Sequence, residues 1–252
     1  MKWRRRILIG ILVLVAVTIV GVIGFWSWTA ISTQHPESLA QAALIVREGV
    51  SVDSIDGAGY VLTPDSPSKT GFIFYSGGLV RPEAYAAHLR PIAAAGHMVF
   101  APQMPLNLAV FDLNAADEII ANHPEIERWV IGGHSLGGAM AAQYTLNHDD
   151  EIDGLVLWAS FPAEGADLSG FDIEAISIFG SNDGLAIPEE IQESAKLLPA
   201  DTIFSEIVGG NHAQFGDYGE QSGDNAATVS IDMQIDQTVE HTLAIINSIE
   251  SK

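Results

Sequence analysis

A serine hydroxyl becomes a nucleophile when a base takes its proton and a third group orients that base. Residues 131–138 read I-G-G-H-S-L-G-G, which places Ser135 at the centre of a G-x-S-x-G with Gly133 and Gly137 on either side. The run 128–131 before it is strand-like and 139–147 after it is helix-forming. A serine at such a sharp strand-to-helix turn is held in a strained backbone conformation that lifts its Oγ above the sheet. The flanking positions must be small, because neighbouring backbone passes close by. The helix that starts there also aims backbone N–H groups at a developing oxyanion.

A carboxylate and a base follow in order. The strand-like run 175–180 ends in S-N-D-G, which puts Asp183 in a turn beyond the strand. Glu164 and Asp167, in the loop after the preceding strand, stand second in line. The strand-like run 202–207 is followed by V-G-G-N-H, with His212 at the tip of a Gly-rich loop. His212 is the only histidine between Asp183 and the C-terminal helix. His134, inside the serine turn, is expected to pack or hydrogen-bond; His88, His97, His123, His148 and His241 are read as structural, and His35 as part of a stalk. Donors for an oxyanion are expected from Leu136 and from one of Gly77, Gly78 or Leu79, in the small-residue turn after the strand 71–75. The residues leave the choice among those three open.

These residues need a scaffold that gathers the ends of several strands. Strands are expected at 59–63, 71–75, 97–101, 129–132, 154–159, 175–180 and 202–207. Helices are expected at 82–95, 115–122, 136–147, 188–198 and 226–249. This alternation predicts βαβ units around a mostly parallel sheet with helices on both faces. In such sheets functional residues collect beyond the carboxyl ends of the strands. Continuously apolar runs such as L-V-L-W at 155–158 fit strands covered on both faces. Only 16 positions separate Ala159 from Ala175, which predicts a minimal cap and a fairly open site. Met104, Phe161, Leu185 and Phe215 are its expected lining.

The N-terminus carries a different signal. Lys2, Arg4, Arg5 and Arg6 precede an uncharged run of 22 residues, from Ile7 to Trp28. About 20 apolar residues span a bilayer as a helix, and the basic cluster predicts a cytoplasmic N-terminus. Residues 1–30 are therefore read as a cytoplasmic end and single-pass signal anchor, 31–45 as a stalk, and 46–252 as one extracytoplasmic domain at the cell membrane. Secretion after signal cleavage is the alternative, although the run is longer than a usual signal core and Trp28 stands where a small residue is wanted.

Four of the 11 Lys and Arg lie in the first six residues, so seven remain against 32 Asp and Glu, a formal charge of −25. Such a domain disfavours nucleic acid as a partner and is repelled by anionic headgroups. The chain has no cysteine, hence no disulfide and no thiol chemistry. It shows no metal-ligand motif and no dinucleotide fingerprint, so neither metal nor cofactor is expected.

Several segments together resemble the bacterial single-domain α/β-hydrolases related to dienelactone hydrolases. They are Y-S-G-G-L-V-R-P-E-A-Y at 75–85, M-P-L-N-L-A-V-F at 104–111 and W-V-I-G-G-H-S-L-G-G-A-M-A-A at 129–142, then L-W-A-S-F-P at 157–162, S-I-F-G-S-N-D-G at 177–184 and G-G-N-H-A-Q-F-G-D-Y-G at 209–219. The resemblance spans about 71–246 and implies an α/β-hydrolase fold with a Ser135, His212 and Asp183 triad. Dienelactone hydrolases carry a cysteine nucleophile, so their substrate is not carried over. The expected activity is that of a carboxylesterase-like serine hydrolase on a small-molecule ester or acyl substrate. An inactive binding protein on the same fold and a peptidase with the same triad are the alternatives.

Overall fold

The computed structural model describes residues 2–46, 48–55 and 59–252. It divides into two units, Met1–Thr33 and Gln34–Lys252. The first is the helix α1 (Lys2–Ser32), in which Ile9–Ser32 is long and apolar enough to cross a membrane by length and composition.

The second unit begins with α2 (Ser38–Ile45) and the antiparallel pair β1 (Val50–Ser54) and β2 (Gly59–Pro64). The chain continues through β3 (Thr70–Tyr75), α3 (Ala86–Ala94), β4 (Met98–Pro102), α4 (Ala115–Asn122), β5 (Arg128–His134) and α5 (Leu136–Asn147). It ends with β6 (Gly154–Trp158), β7 (Glu174–Gly180), α6 (Pro188–Glu193), β8 (Ile203–Ile207) and α7 (Ile231–Glu250). The eight strands lie in the order β1-β2-β4-β3-β5-β6-β7-β8, parallel from β4 to β8.

The core follows from the two-residue period of the strands. Phe72 and Phe74 of β3 face one layer, with Tyr85, Leu89, Trp158 and Ile246. Ile73 and Tyr75 face the other, with Phe100, Trp129 and Tyr144. The expected strands and their helices are present, and between Trp158 and Glu174 no helix or strand forms among the described residues, as the short spacing requires. The mostly parallel sheet with helices on both faces and no inserted cap is the architecture the sequence predicts.

Three expectations need correction. β1 was not foreseen, because V-S-V-D-S is mostly polar and half exposed at the sheet edge. The last helix starts at Ile231 rather than 226: Ser230 caps it through Oγ, which accepts the Met233 N–H at 3.2 Å. Residues 225–228 are needed elsewhere. The Asn211 and Asn182 amides donate to the carbonyls of Asn225 (2.7 Å) and Ala226 (3.2 Å), and the Thr228 N–H donates to Gly209 (2.8 Å). This segment ties together the two loops that carry Asp183 and His212. Finally, residues 34–45 are folded onto the domain rather than forming a stalk: α2 packs on α3, and Ala40 is fully buried.

His88, read from sequence as a histidine without a partner, is buried inside α3. Its Nε2–H donates to the Gln214 carbonyl (3.1 Å), while Nδ1 is buried with no partner among the described residues. Burial pushes its pKa down from 6.5 to about 4, against the opposing pull of that hydrogen bond. As pH falls below 6.5 the unfolded chain therefore takes up this proton first. Stability from this group is complete above 6.5 and drains away by about 1.4 kcal/mol per pH unit down to about pH 4. Over that window His88→Gln should show a smaller loss of urea midpoint than the parent chain. Equal losses in the two proteins would remove His88 as a source of acid sensitivity.

Candidate active site

Ser135 occupies the turn between β5 and α5 with φ 52° and ψ −122°, a conformation that ordinary residues avoid. The turn is fixed from three sides. The Ser135 N–H donates to Trp158 O (3.0 Å), and the Ser135 carbonyl accepts from the Ala139 N–H (3.1 Å) and from Ser160 Oγ (2.6 Å). A Cβ on Gly133 or Gly137 would run into the carbonyl oxygen of Tyr75 on neighbouring β3, which is why both positions are glycine. All five non-glycine residues with positive φ among those described (Leu79, Leu106, Asn107, Ser135 and Ala159) lie in loops at the carboxyl edge of the sheet. Strain of this kind costs about 1–3 kcal/mol per residue and concentrates where geometry is used.

Asp183 and His212 meet at the same edge, beyond β7 and β8. His212 Nδ1 lies 2.8 Å from Asp183 Oδ2, and the two residues are 1% and 2% exposed. The other carboxylate oxygen, Oδ1, accepts the N–H groups of Leu185 and Ala186, both at 2.8 Å. Those bonds lock the carboxylate and make Nδ1 the protonated ring nitrogen. Nε2 is then the free base; it is buried and, among the described residues, has no hydrogen-bond partner. Ser135 Oγ is therefore not bonded to it here, and in unliganded sites such bonds often close only around substrate. Glu164 is exposed and Asp167 accepts from its near neighbour Ser169, so neither replaces Asp183.

The oxyanion candidates are separated by their partners. The Gly77 N–H donates to Tyr85 Oη (3.0 Å), and the Leu79 N–H donates to Asn107 O (2.7 Å). Among the described residues no protein acceptor is found for the N–H of Gly78 or of Leu136. The two lie side by side, since a Cβ on Gly78 would stand 3.1 Å from Leu136 Cδ2. His134 packs and hydrogen-bonds as expected, and the sequence reading missed its partner Tyr85 as a supporting residue. Tyr85 Oη, holding the Gly77 N–H, lies 2.9 Å from His134 Nδ1, and the His134 ring packs 4.5 Å from the His212 ring. Burial holds His134 well below its ordinary pKa, with the His212 and His88 rings adding to the effect. It is thus a neutral neighbour for the base. Burial likewise pushes the Tyr85 hydroxyl up, so it keeps its proton. The only sequence signal for this pair was the histidine inside the serine turn.

The expected lining is partly wrong. Phe215 is fully buried: a short turn at Ala213–Phe215 carries its ring beneath His134, at 5.9 Å and nearly parallel. Met104 is 3% exposed and packs in the core with Ile73 and Phe100. Both support the site from below. Phe161 is half-buried against the Trp158 layer, and Leu185 is part-exposed beside Asp183. The base itself lies beneath the surface, so the site is less open than the missing cap suggested. His97, His123 and His148 also have partners, in Ser68 (3.0 Å), Glu125 (2.9 Å) and the Tyr144 carbonyl (3.0 Å), which gives them structural roles.

An eight-stranded sheet of this order, with a strained serine after its fifth strand and an Asp–His pair after its seventh and eighth, defines an α/β-hydrolase-type protein. The sequence profile described as "Alpha/beta hydrolase family" matches residues 71–236, and the chain belongs to that family. No curated protein matches it. Among solved structures it is similar to a "predicted CIB-like hydrolase" from Thermoplasma acidophilum, at 18% identity over 77% of this chain and 99% of that one, with a TM-score of 0.58. It is also similar to a monoacylglycerol lipase from Paleococcus ferrophilus, at 15% identity over 74% and 96% of the two chains, TM-score 0.57. A third, an alpha-beta serine hydrolase homologue from Coxiella burnetii, has 15% identity over 78% and 98%, TM-score 0.52. At such identities the likeness concerns the fold.

Proposed function

We propose that this protein is a serine hydrolase that cleaves carboxylic esters through an acyl-enzyme. The observation that carries the reading is the pairing, at one edge of the sheet, of a strained Ser135 with a buried Asp183–His212 couple whose Nε2 is unpartnered. In this reading Ser135 Oγ attacks the ester carbonyl carbon while His212 Nε2 takes its proton. The N–H groups of Gly78 and Leu136 receive the oxyanion, and the proton passes to the departing alcohol. Water, deprotonated by His212 Nε2, then attacks the acyl carbon; the bond from that carbon to Ser135 Oγ breaks, Oγ takes the proton back from His212, and the acid is released. Asp183 holds the imidazole in the required tautomer and stabilises its charged form.

The apolar helix supports a membrane-held enzyme with an extracytoplasmic domain, and the quoted motifs support kinship with dienelactone hydrolases without their cysteine chemistry. The test is labelling of the full-length protein in detergent with a fluorophosphonate probe. One adduct per chain, located on Ser135 by mass spectrometry, is the expected result. A folded protein that takes no label would favour the binding-protein alternative.

A further inference from the structure

We propose that this hydrolase works at the surface of the bilayer that holds it, and that its substrate is a neutral or zwitterionic acyl ester resident in that bilayer. The inference rests on the serine-hydrolase and anchor readings above, and it starts from Gln34. The Gln34 N–H donates to the Leu79 carbonyl at 2.7 Å, and its own carbonyl accepts the Arg81 N–H at 3.1 Å, forming a parallel bridge to Val80. Leu79 directly follows Gly78, so residue 34 is bonded to the oxyanion loop itself. Farther along, the Glu37 N–H donates to the Asp217 carbonyl and the Ala40 N–H to Asp217 Oδ2, both at 2.8 Å. Asp217 lies five residues beyond His212 and is buried. The segment that follows the apolar helix is therefore fastened to the loops on both flanks of the site.

The apolar stretch ends at Ser32, and two residues of extended chain span at most about 7 Å. A free stalk of residues 31–45 would have allowed about 50 Å. The polar layer on each side of a bilayer core is itself several ångströms thick. If α1 spans, only Thr33 lies between the end of the apolar stretch at Ser32 and Gln34, the residue bonded to the oxyanion loop.

The exposed residues of the same edge suit that surface. Val110 and Phe111, in the loop after β4, and Leu185 and Ile187, in the loop after Asp183, are 37–52% exposed and apolar. The β4 loop is joined to the oxyanion loop by the Leu79 N–H bond to Asn107 O. In water this rim is a cost, whereas against acyl chains it is a favourable contact. The formal charge of −25 beyond the basic N-terminal cluster (7 Lys and Arg against 32 Asp and Glu) opposes anionic lipid, which selects neutral or zwitterionic substrates. An acyl chain entering across such a rim would reach the buried base without passing through bulk water.

The absence of cysteine makes the test direct. Single cysteines at Val110, Ile187 and, as a control before β3, Lys69 are introduced into the full-length chain and carry an environment-sensitive fluorophore. The proteins are reconstituted into phosphatidylcholine vesicles containing lipid spin-labelled near the headgroup. Quenching at positions 110 and 187 but not at 69 is expected. In the same vesicles the double variant Val110→Asp, Ile187→Asp should lose about tenfold in turnover of a bilayer-dissolved long-chain fluorogenic ester while keeping its rate on a water-soluble acetate ester. Unquenched labels on a chain that hydrolyses the soluble ester would overturn the inference and leave the hydrolase reading standing. Quenching without hydrolysis of either ester, and without a fluorophosphonate adduct, would instead remove the hydrolase reading and this substrate with it.

Discussion

Replacing Ser135 by alanine should lower ester turnover by on the order of 10⁴–10⁶ while leaving the fold and its thermal transition almost unchanged. The size of the loss reflects what remains. Without Oγ no acyl-enzyme forms, and only the oxyanion donors and binding contacts can still assist an attacking water. The fold should survive because the Ser135 side chain makes no cap bond to α5; the turn is held by its backbone bonds to Trp158, Ala139 and Ser160. Alanine at φ 52° is no more comfortable than serine, so the substitution adds no new strain. Turnover of an activated ester, measured beside circular dichroism melting, checks both halves. Retention of more than a few per cent of the parent rate would sink the nucleophile assignment.

The second large effect concerns Asp183→Asn, where roughly 10⁴ in kcat should be lost through a single proton. Asp183 Oδ1 accepts two backbone N–H groups, from Leu185 and Ala186. An asparagine must keep its carbonyl oxygen there, since an NH₂ group would face two donors. Its NH₂ is then turned to His212, at the place where Oδ2 now lies 2.8 Å from Nδ1. Facing a donor, Nδ1 must become the acceptor, and the proton moves to Nε2. An Nε2–H cannot take the proton of Ser135, although every heavy atom has kept its place. The expected signature is a collapsed kcat with KM little changed, and a ring ¹⁵N NMR spectrum showing the opposite tautomer. Near-parent kcat would mean that Asp183 anchors the loop without serving the base.

The order of strands and helices was legible because two local periods dominate this chain, and runs such as 155–158 can only be buried strands. Ser135, Asp183 and His212 were legible for a related reason: each follows a strand, and a mostly parallel sheet brings all strand ends to one edge. Local pattern ran out where a group's fate depends on a distant partner. G-G-L at 77–79 offers three equivalent N–H groups, and only the Tyr85 hydroxyl and the Asn107 carbonyl, placed by folding, leave Gly78 available. Met104 and Phe215 sit in irregular turns, where no period dictates which way a side chain points, and packing turned both inward. Residues 34–45 read as a spacer because their polar start says nothing about a receiving surface; Leu79, Arg81 and Asp217 supply one. The sequence by itself determined the elements, their order and the three residues proposed to react. The tertiary structure decided which backbone groups stay free and where residues 34–45 are fastened, because hydrogen-bond pairing between residues far apart in sequence exists only once the chain has folded.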